Sequence, residues 1–166
     1  MSAIAAGFVG TAARPASAAA VRELTLMRPA TGEVARDVPF WWAGAAYEPG
    51  LAELDWLMRD VRAEEVHPID LRVYYILSLV QTQFSGRPIL VTSGYRTEVT
   101  NERLRQQGID AARNSFHLRG RAVDVQVTGV APRTLSRLVV LLGLGGVGFY
   151  PTFVHLASGP CRTWQG

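Results

Sequence analysis

One acidic residue in the middle of an apolar run constrains the fold of this chain more than any other feature. The run is Ala122-Val123-Asp124-Val125-Gln126-Val127, and its β-branched residues at alternating positions predict a strand over 121–127. A carboxylate inside an apolar strand loses its hydration, and this is costly unless it is paired or bound to a cation. The fold must therefore bring a partner to Asp124.

Histidines are the first candidates for that partner. The chain has three of them, His67, His117 and His155. His117 lies in a loop shortly before the strand, and His155 lies inside a second apolar segment. If the two strands are neighbours, His117, Asp124 and His155 converge, and two imidazoles with one carboxylate suit a catalytic zinc site. The spacing alone leaves open a buried Asp–His pair without a metal.

Composition narrows the class of protein. A chain of 166 residues is long enough for one domain, or one domain plus a tail, and 48% hydrophobic residues can form a core without disulfides. The lone Cys161 excludes an internal disulfide and a multi-cysteine zinc site. No stretch reaches the roughly 18 apolar residues of a membrane span. A net charge of +3 without any basic run gives no support for a nucleic-acid partner.

The N-terminal segment has the composition of a targeting sequence. Residues 1–20 contain nine alanines, one charge (Arg14) and no acidic residue, and Ala16-Ser17-Ala18 matches an A-x-A cleavage site. We therefore expect residues 1–20 to be a signal-like segment, and the protein to be exported to the periplasm or cell envelope. The alternative is a disordered alanine-rich tail. Residues 21–166 are expected to form a single domain.

Periodicity predicts an α+β domain, with helices first and then a small antiparallel sheet flanked by helices. Pro68 lies at the start of the predicted helix 69–84, and Thr97 or Thr100 caps the predicted helix that ends at residue 107. We expect residues 109–120 to form a loop and 143–148 a glycine-rich turn. Strands are predicted at 21–27 and 38–42 as a hairpin, and at 88–92, 121–127, 148–150 and 153–157; helices are predicted at 51–62, 69–84, 97–107 and 132–142.

Five segments, in this order along the chain, resemble one known group of enzymes. The pattern Ser-x-His-x-x-Gly-x-Ala-x-Asp at 115–124, followed by Phe-Val-His at 153–155, resembles the zinc D-Ala-D-Ala peptidase and hedgehog superfamily. The segment Ser-Gly-Tyr-Arg at 93–96 fits the same group. Segments 65–70 and 145–151 narrow the resemblance to the branch that contains murein endopeptidase K. The similarity runs over residues 22–164.

This resemblance implies a hedgehog/D-Ala-D-Ala-peptidase-like fold over residues 21–166 and one Zn²⁺ per chain, with peptidoglycan as the partner. The implied reaction is hydrolysis of stem-peptide crosslinks in the cell wall, which suits an exported protein. Arg96 is implied as a catalytic residue that stabilises the oxyanion formed at the scissile carbonyl. The implied metal ligands are His117, Asp124 and His155, and the implied substrate-binding residues are Ser115, Tyr95 and Tyr150.

Two positions depart from the superfamily. Many of its members have an acidic residue three positions before the last histidine ligand, where this chain has Thr152. The endopeptidase K branch favours Asp two positions after that histidine, where this chain has Ala157. No Asp or Glu occurs from Val125 to Gly166. The alternative to a zinc peptidase is therefore a catalytically weak or inactive zinc-containing module that binds the cell wall or a protein.

Overall fold

A computed structural model describes residues 21–109 and 111–166, so the predicted signal-like segment lies outside the described residues. The described chain contains four α-helices, one 3₁₀ helix and eight strands. The helices are α1 (Glu48–Leu57), α2 (Leu71–Gln83), α3 (Glu98–Gln106), the 3₁₀ helix (Phe116–Arg119) and α4 (Pro132–Leu142). The strands are β1 (Arg22–Arg28), β2 (Glu33–Trp42), β3 (Ala45–Ala46), β4 (Ile89–Ser93), β5 (Ala122–Val127), β6 (Gly146–Phe149), β7 (Val154–Ala157) and β8 (Arg162–Gln165).

All eight strands form one mixed sheet in the order β3-β2-β1-β4-β5-β7-β6-β8. The α+β class is confirmed, but the sheet is larger than expected and is not purely antiparallel. Leu26 of β1 pairs in parallel with Ile89 of β4, which joins the N-terminal hairpin to the rest of the sheet. Periodicity identifies strands but carries no information on which distant strand each one pairs with.

The C-terminal half of the sheet gives a second correction. Strand β6 begins at Gly146, inside the segment expected to be a turn, and β8 was not predicted at all. β8 pairs in parallel with β6, with Gly148 opposite Trp164. Such a short edge strand has no sequence period of its own, because its position depends on the strand beside it.

The core lies between the sheet and the helices packed on it. Helix α2 buries Val73, Tyr74, Leu77 and Val80, which recur at the spacing of one helix face. The ring of Tyr74 lies 6.0 Å from that of Phe40 on β2. Within the described residues, no helix combines the length and apolar character needed to cross a bilayer.

The start of helix α3 is fixed by two side chains. Thr97 is the N-cap residue, since its hydroxyl accepts a hydrogen bond from the Thr100 N–H at 3.2 Å. Asp60 accepts the N–H and the hydroxyl of Thr97 at 2.8 and 2.9 Å. These bonds fix the chain directly after the segment that contains Arg96.

We predict that Leu26→Ala lowers the free energy of unfolding by about 2–5 kcal/mol, because Leu26 is fully buried between β2 and β4. Urea denaturation followed by circular dichroism measures this. Val34→Ala on the same hairpin is the control and should cost about 1 kcal/mol or less, because Val34 is 44% exposed. Equal effects of the two substitutions would contradict the burial of Leu26 in the core. A separate unfolding transition for the hairpin would contradict a single cooperative sheet.

Candidate metal centre

Three side chains converge where β5 and β7 lie side by side. Asp124 pairs directly with His155 across these strands, and His117 comes from the 3₁₀ helix just before β5. Asp124 Oδ1 lies 3.2 Å from His117 Nε2 and 2.8 Å from His155 Nδ1, and the two imidazole nitrogens are 3.2 Å apart. The three atoms, each of which can donate an electron pair, therefore face one point, as ligands of a single metal ion do.

The orientation and protonation of His117 suit a metal ligand. Its Nδ1 lies 2.6 Å from the carbonyl oxygen of Gly94, and a carbonyl only accepts, so Nδ1 carries the proton and donates it. The lone pair of Nε2 is then directed at Asp124 and His155. The side chain is buried, and this burial lowers the pKa of His117, so the imidazole is neutral at neutral pH. Metal binding needs this neutral form.

Asp124 remains ionised although it is buried. Burial by itself raises the pKa of a carboxyl group, but the hydrogen bond with His155, together with the other polar contacts of the carboxylate, outweighs burial and holds the pKa of Asp124 well below its usual range. The two carboxylate oxygens have different partners. Oδ1 faces the imidazoles, and Oδ2 accepts a hydrogen bond from Arg96 Nη2 at 2.5 Å. Two imidazoles and one carboxylate fit a zinc ion with a position left for substrate or water.

The local sequence explains why His117 faces the cluster. The hydroxyl of Ser115 accepts the His117 N–H at 3.3 Å and caps the 3₁₀ helix. Gly120 ends the helix with φ of +59°, a conformation that glycine adopts without strain. A Cβ at Gly120 would lie 2.2 Å from the carbonyl oxygen of Pro68, so there is no space for a side chain.

Arg96 lies beside the three candidate metal ligands. Its Nε donates to the Ser93 hydroxyl at 2.8 Å, and its Nη2 donates to Asp124. The side chain is 11% exposed and lines the cavity in front of the cluster. The structure thus shows Arg96 as a hydrogen-bonding partner of Asp124, a contact that fixes the carboxylate. Stabilisation of an oxyanion by Arg96 remains a prediction.

The cluster opens into a cavity of about 530 Å³. Arg96, Ser115, Tyr150 and the three converging residues all line it. Tyr95 does not, since its hydroxyl donates to Glu65 at 3.1 Å and its ring packs edge-on against His67. In the described part of the chain, Asp124 is the only carboxylate that lines the cavity. The other lining residues are Ile109, Ala111, Ala112, Asn114, Phe116, Phe153, Arg162, Thr163 and Trp164.

Sequence reasoning missed the wall formed by β8. The Trp164 ring lies 5.2 Å from the His155 ring, and it covers Gly148, where a Cβ would be 2.7 Å from the indole. Glycines at two alternate positions, 146 and 148, leave one face of β6 without side chains. These two glycines are the sequence signal for this wall, because glycine inside a strand marks the close approach of another group.

Comparisons with known proteins identify the family of this chain. The family model described as peptidoglycan L,D-endopeptidase MepK matches residues 16–164. The probable peptidoglycan L,D-endopeptidase MepK of Haemophilus influenzae is 40% identical over 120 residues, which cover 70% of this chain and 64% of that protein. Peptidoglycan L,D-endopeptidase MepK of Escherichia coli K12 is 36% identical over 146 residues, covering 86% of this chain and 80% of that protein. The chain belongs to this family, which confirms the branch predicted from its motifs.

We predict that Gly120→Ala destabilises the protein more than Gly86→Ala. Both glycines have positive φ, +59° and +73°, so each alanine carries a conformational cost of about 1–2 kcal/mol. No atom lies within 4 Å of a Cβ at Gly86, whereas at Gly120 it would contact the Pro68 carbonyl at 2.2 Å. Urea denaturation of the two variants measures the difference. Equal losses would show that the Pro68 contact relaxes at no cost.

A second prediction concerns Asp70, whose oxygens accept from Arg72 and from the Ser158 hydroxyl at 2.9 Å. Burial favours a higher pKa, but these bonds lower the pKa of Asp70 to about 2. Because the folded pKa lies below the unfolded value of about 3.9, this stabilisation is complete above that value and is lost as the pH falls toward 2.

Asp70→Asn should therefore cost stability at pH 6, and the difference from the unsubstituted protein should shrink between pH 4 and pH 2. Urea denaturation at several pH values measures this, and each pH provides its own reference. A difference that stays constant with pH would show that the carboxylate charge contributes nothing.

Proposed function

We propose that this protein is a zinc-dependent peptidase that hydrolyses stem-peptide crosslinks of peptidoglycan. The observation that carries the proposal is the convergence of His117, Asp124 and His155 on one point at the base of an open cavity. Membership of the endopeptidase family supports the substrate, since relatives at 36–40% identity are named for action on peptidoglycan.

One Zn²⁺ per chain is proposed at this cluster. The donor set fits, because the Gly94 carbonyl fixes the tautomer of His117 and the carboxylate of Asp124 stays ionised. When bound, zinc supplies the Lewis acidity that amide hydrolysis needs.

The remaining cavity residues are proposed to position the peptide. Toward the described residues, Arg96 uses two of its five N–H groups, on Ser93 and Asp124, and further donors of its guanidinium are proposed to bind the oxygen of the scissile carbonyl. Ser115 and Tyr150 line the cavity and are proposed to contact substrate. Tyr95 is not carried forward as a substrate-binding residue, because its hydroxyl and ring contact Glu65 and His67 instead.

Proton transfer is the weakest part of the site. The only carboxylate among the described lining residues is Asp124, which is occupied by the imidazoles and Arg96. General acid–base assistance contributes about 10²–10⁴-fold in rate, so we propose a slow enzyme. This same observation favours the second candidate, a zinc-containing module that binds peptidoglycan with little or no hydrolysis.

Domain organisation and location are proposed as follows. Residues 21–166 form the catalytic domain, which the family match covers almost entirely. Residues 1–20 direct export to the periplasm or cell envelope, where peptidoglycan is accessible.

Digestion of purified sacculi by the full chain tests the proposal. New peptide fragments, identified by mass spectrometry, should require zinc and should disappear with a chelator or with His117→Ala. His67→Ala is the matched control, because His67 lies outside the cluster and packs on Tyr95, and it should retain both activity and metal. Metal analysis should give one zinc per chain in the unsubstituted protein and much less in His117→Ala.

The absence of fragments from folded, zinc-loaded protein would refute the peptidase. Co-sedimentation with the same sacculi would then support the binding module, and no sedimentation would refute both candidates. Ala157→Asp further distinguishes the peptidase from the binding module, since it restores the acidic residue that the endopeptidase K branch favours at this position. A large gain in hydrolysis would identify Ala157 as the cause of a weak activity.

A further inference from the structure

One arginine on the cavity wall forms no ion pair with a described residue. Arg162 lies on β8, is exposed and lines the cavity. Its guanidinium carbon lies 5.1 Å from the centre of the Trp164 ring and 5.9 Å from that of Phe116. Stacking on aromatic faces holds a guanidinium in place and leaves its N–H groups free to bind a ligand.

Among the described residues that line the cavity, positively charged side chains outnumber negatively charged ones. Its charged lining residues, within the described ranges, are Arg96, Arg162 and Asp124. Arg96 and Asp124 form an ion pair with each other. Arg162 forms no ion pair with any described residue, and the last 42 positions of the chain, from Val125 onward, contain no acidic residue. A bound zinc ion would add to this excess, so the cavity favours an anionic ligand.

Three other arginines that lie over aromatic rings differ from Arg162. Arg59 lies over Trp56 but is paired with Glu33 at 3.0 Å. Arg121 shares the Phe116 ring but donates to the Ser158 carbonyl at 3.1 Å and is not among the cavity-lining residues. Arg133 lies over Phe149, is exposed, and also lies outside the cavity lining.

We infer that Arg162 binds a carboxylate of the substrate, so that the preferred substrate is a peptide with a free carboxylate close to the cleaved bond. The inference rests on the proposed peptidase function and adds a specificity-determining residue to it. Carboxylate is the natural partner of the planar guanidinium, which offers two parallel N–H donors.

Two ring contacts give an upper limit for the distance of this carboxylate from His155. The guanidinium lies 5.1 Å from the Trp164 ring, and that ring lies 5.2 Å from the His155 ring. An extended peptide advances about 3.3–3.6 Å per residue, so the carboxylate belongs to a residue within about three positions of the cleaved bond.

Hydrolysis of two synthetic stem peptides tests the inference. The peptides are identical except that one has a free carboxylate beside the scissile bond and the other has a carboxamide there. We expect kcat/KM of the zinc-loaded protein to be about 10–100-fold higher for the carboxylate peptide. Arg162→Gln should remove this preference by slowing the carboxylate peptide alone, and Arg162→Lys should restore part of it.

Arg133→Gln is the matched control, because it removes one exposed arginine over an aromatic ring, and one positive charge, outside the cavity. It should keep the full preference. Equal hydrolysis of both peptides by the unsubstituted protein would overturn the inference and leave the proposed peptidase intact. A preference that survives Arg162→Gln, in protein whose folding is verified by urea denaturation, would also overturn it.

Hydrolysis of neither peptide would contradict the proposed function, and binding then decides the inference. In a calorimetric titration of the zinc-free protein, the carboxylate peptide should bind about 10-fold more tightly than the carboxamide peptide. Arg162→Gln should equalise the two affinities. Equal binding of both peptides by the unsubstituted protein would overturn the inference without any reference to catalysis.

Discussion

The buried carboxylate of Asp124 is the group on which the rest of the site depends. It is 4% exposed in the centre of the sheet, so every partner it has must come from the protein or from a bound cation. Its two oxygens divide these partners, with His117 and His155 on one and Arg96 on the other. The arrangement keeps the charge and directs one oxygen at the imidazole nitrogens. The three candidate metal ligands and the ion pair with Arg96 therefore share a single side chain.

Hydrogen bonds fix the backbone segments next to the residues that carry the candidate ligand atoms. The Gly94 carbonyl accepts from His117, and Tyr95 N–H donates to the Met58 carbonyl at 2.8 Å, so this loop is fixed at both residues. Asp70 donates its N–H to the Gly120 carbonyl at 2.8 Å and accepts the Ser158 hydroxyl just beyond β7. One residue thus connects the segments that follow His117 and His155. Backbone contacts of this kind hold ligands more precisely than flexible side chains would.

Charge gives the cavity its chemical character. The site has basic and aromatic walls, and the acidic position favoured by the branch is occupied by the buried Ala157. Asp124 is the only acidic side chain among the described lining residues, and this limits proton transfer but favours binding of anions. These two consequences have one cause. The proposed slow hydrolysis and the proposed preference for a carboxylate-bearing peptide therefore rest on the same set of side chains.

The sequence by itself determined the three candidate ligands, the α+β class and most helices, because an acid in an apolar strand and regular helical spacing are local signals. The tertiary structure decided the sheet, since the pairing of β1 with β4 and of β6 with β8 joins segments far apart in sequence. It also placed Trp164 and Arg162 on the cavity wall and Tyr95 away from it. No local sequence pattern determines where these three side chains lie. The cavity wall forms only because β8 pairs with β6, and strand pairing sets the distance between β8 and the two glycines of β6.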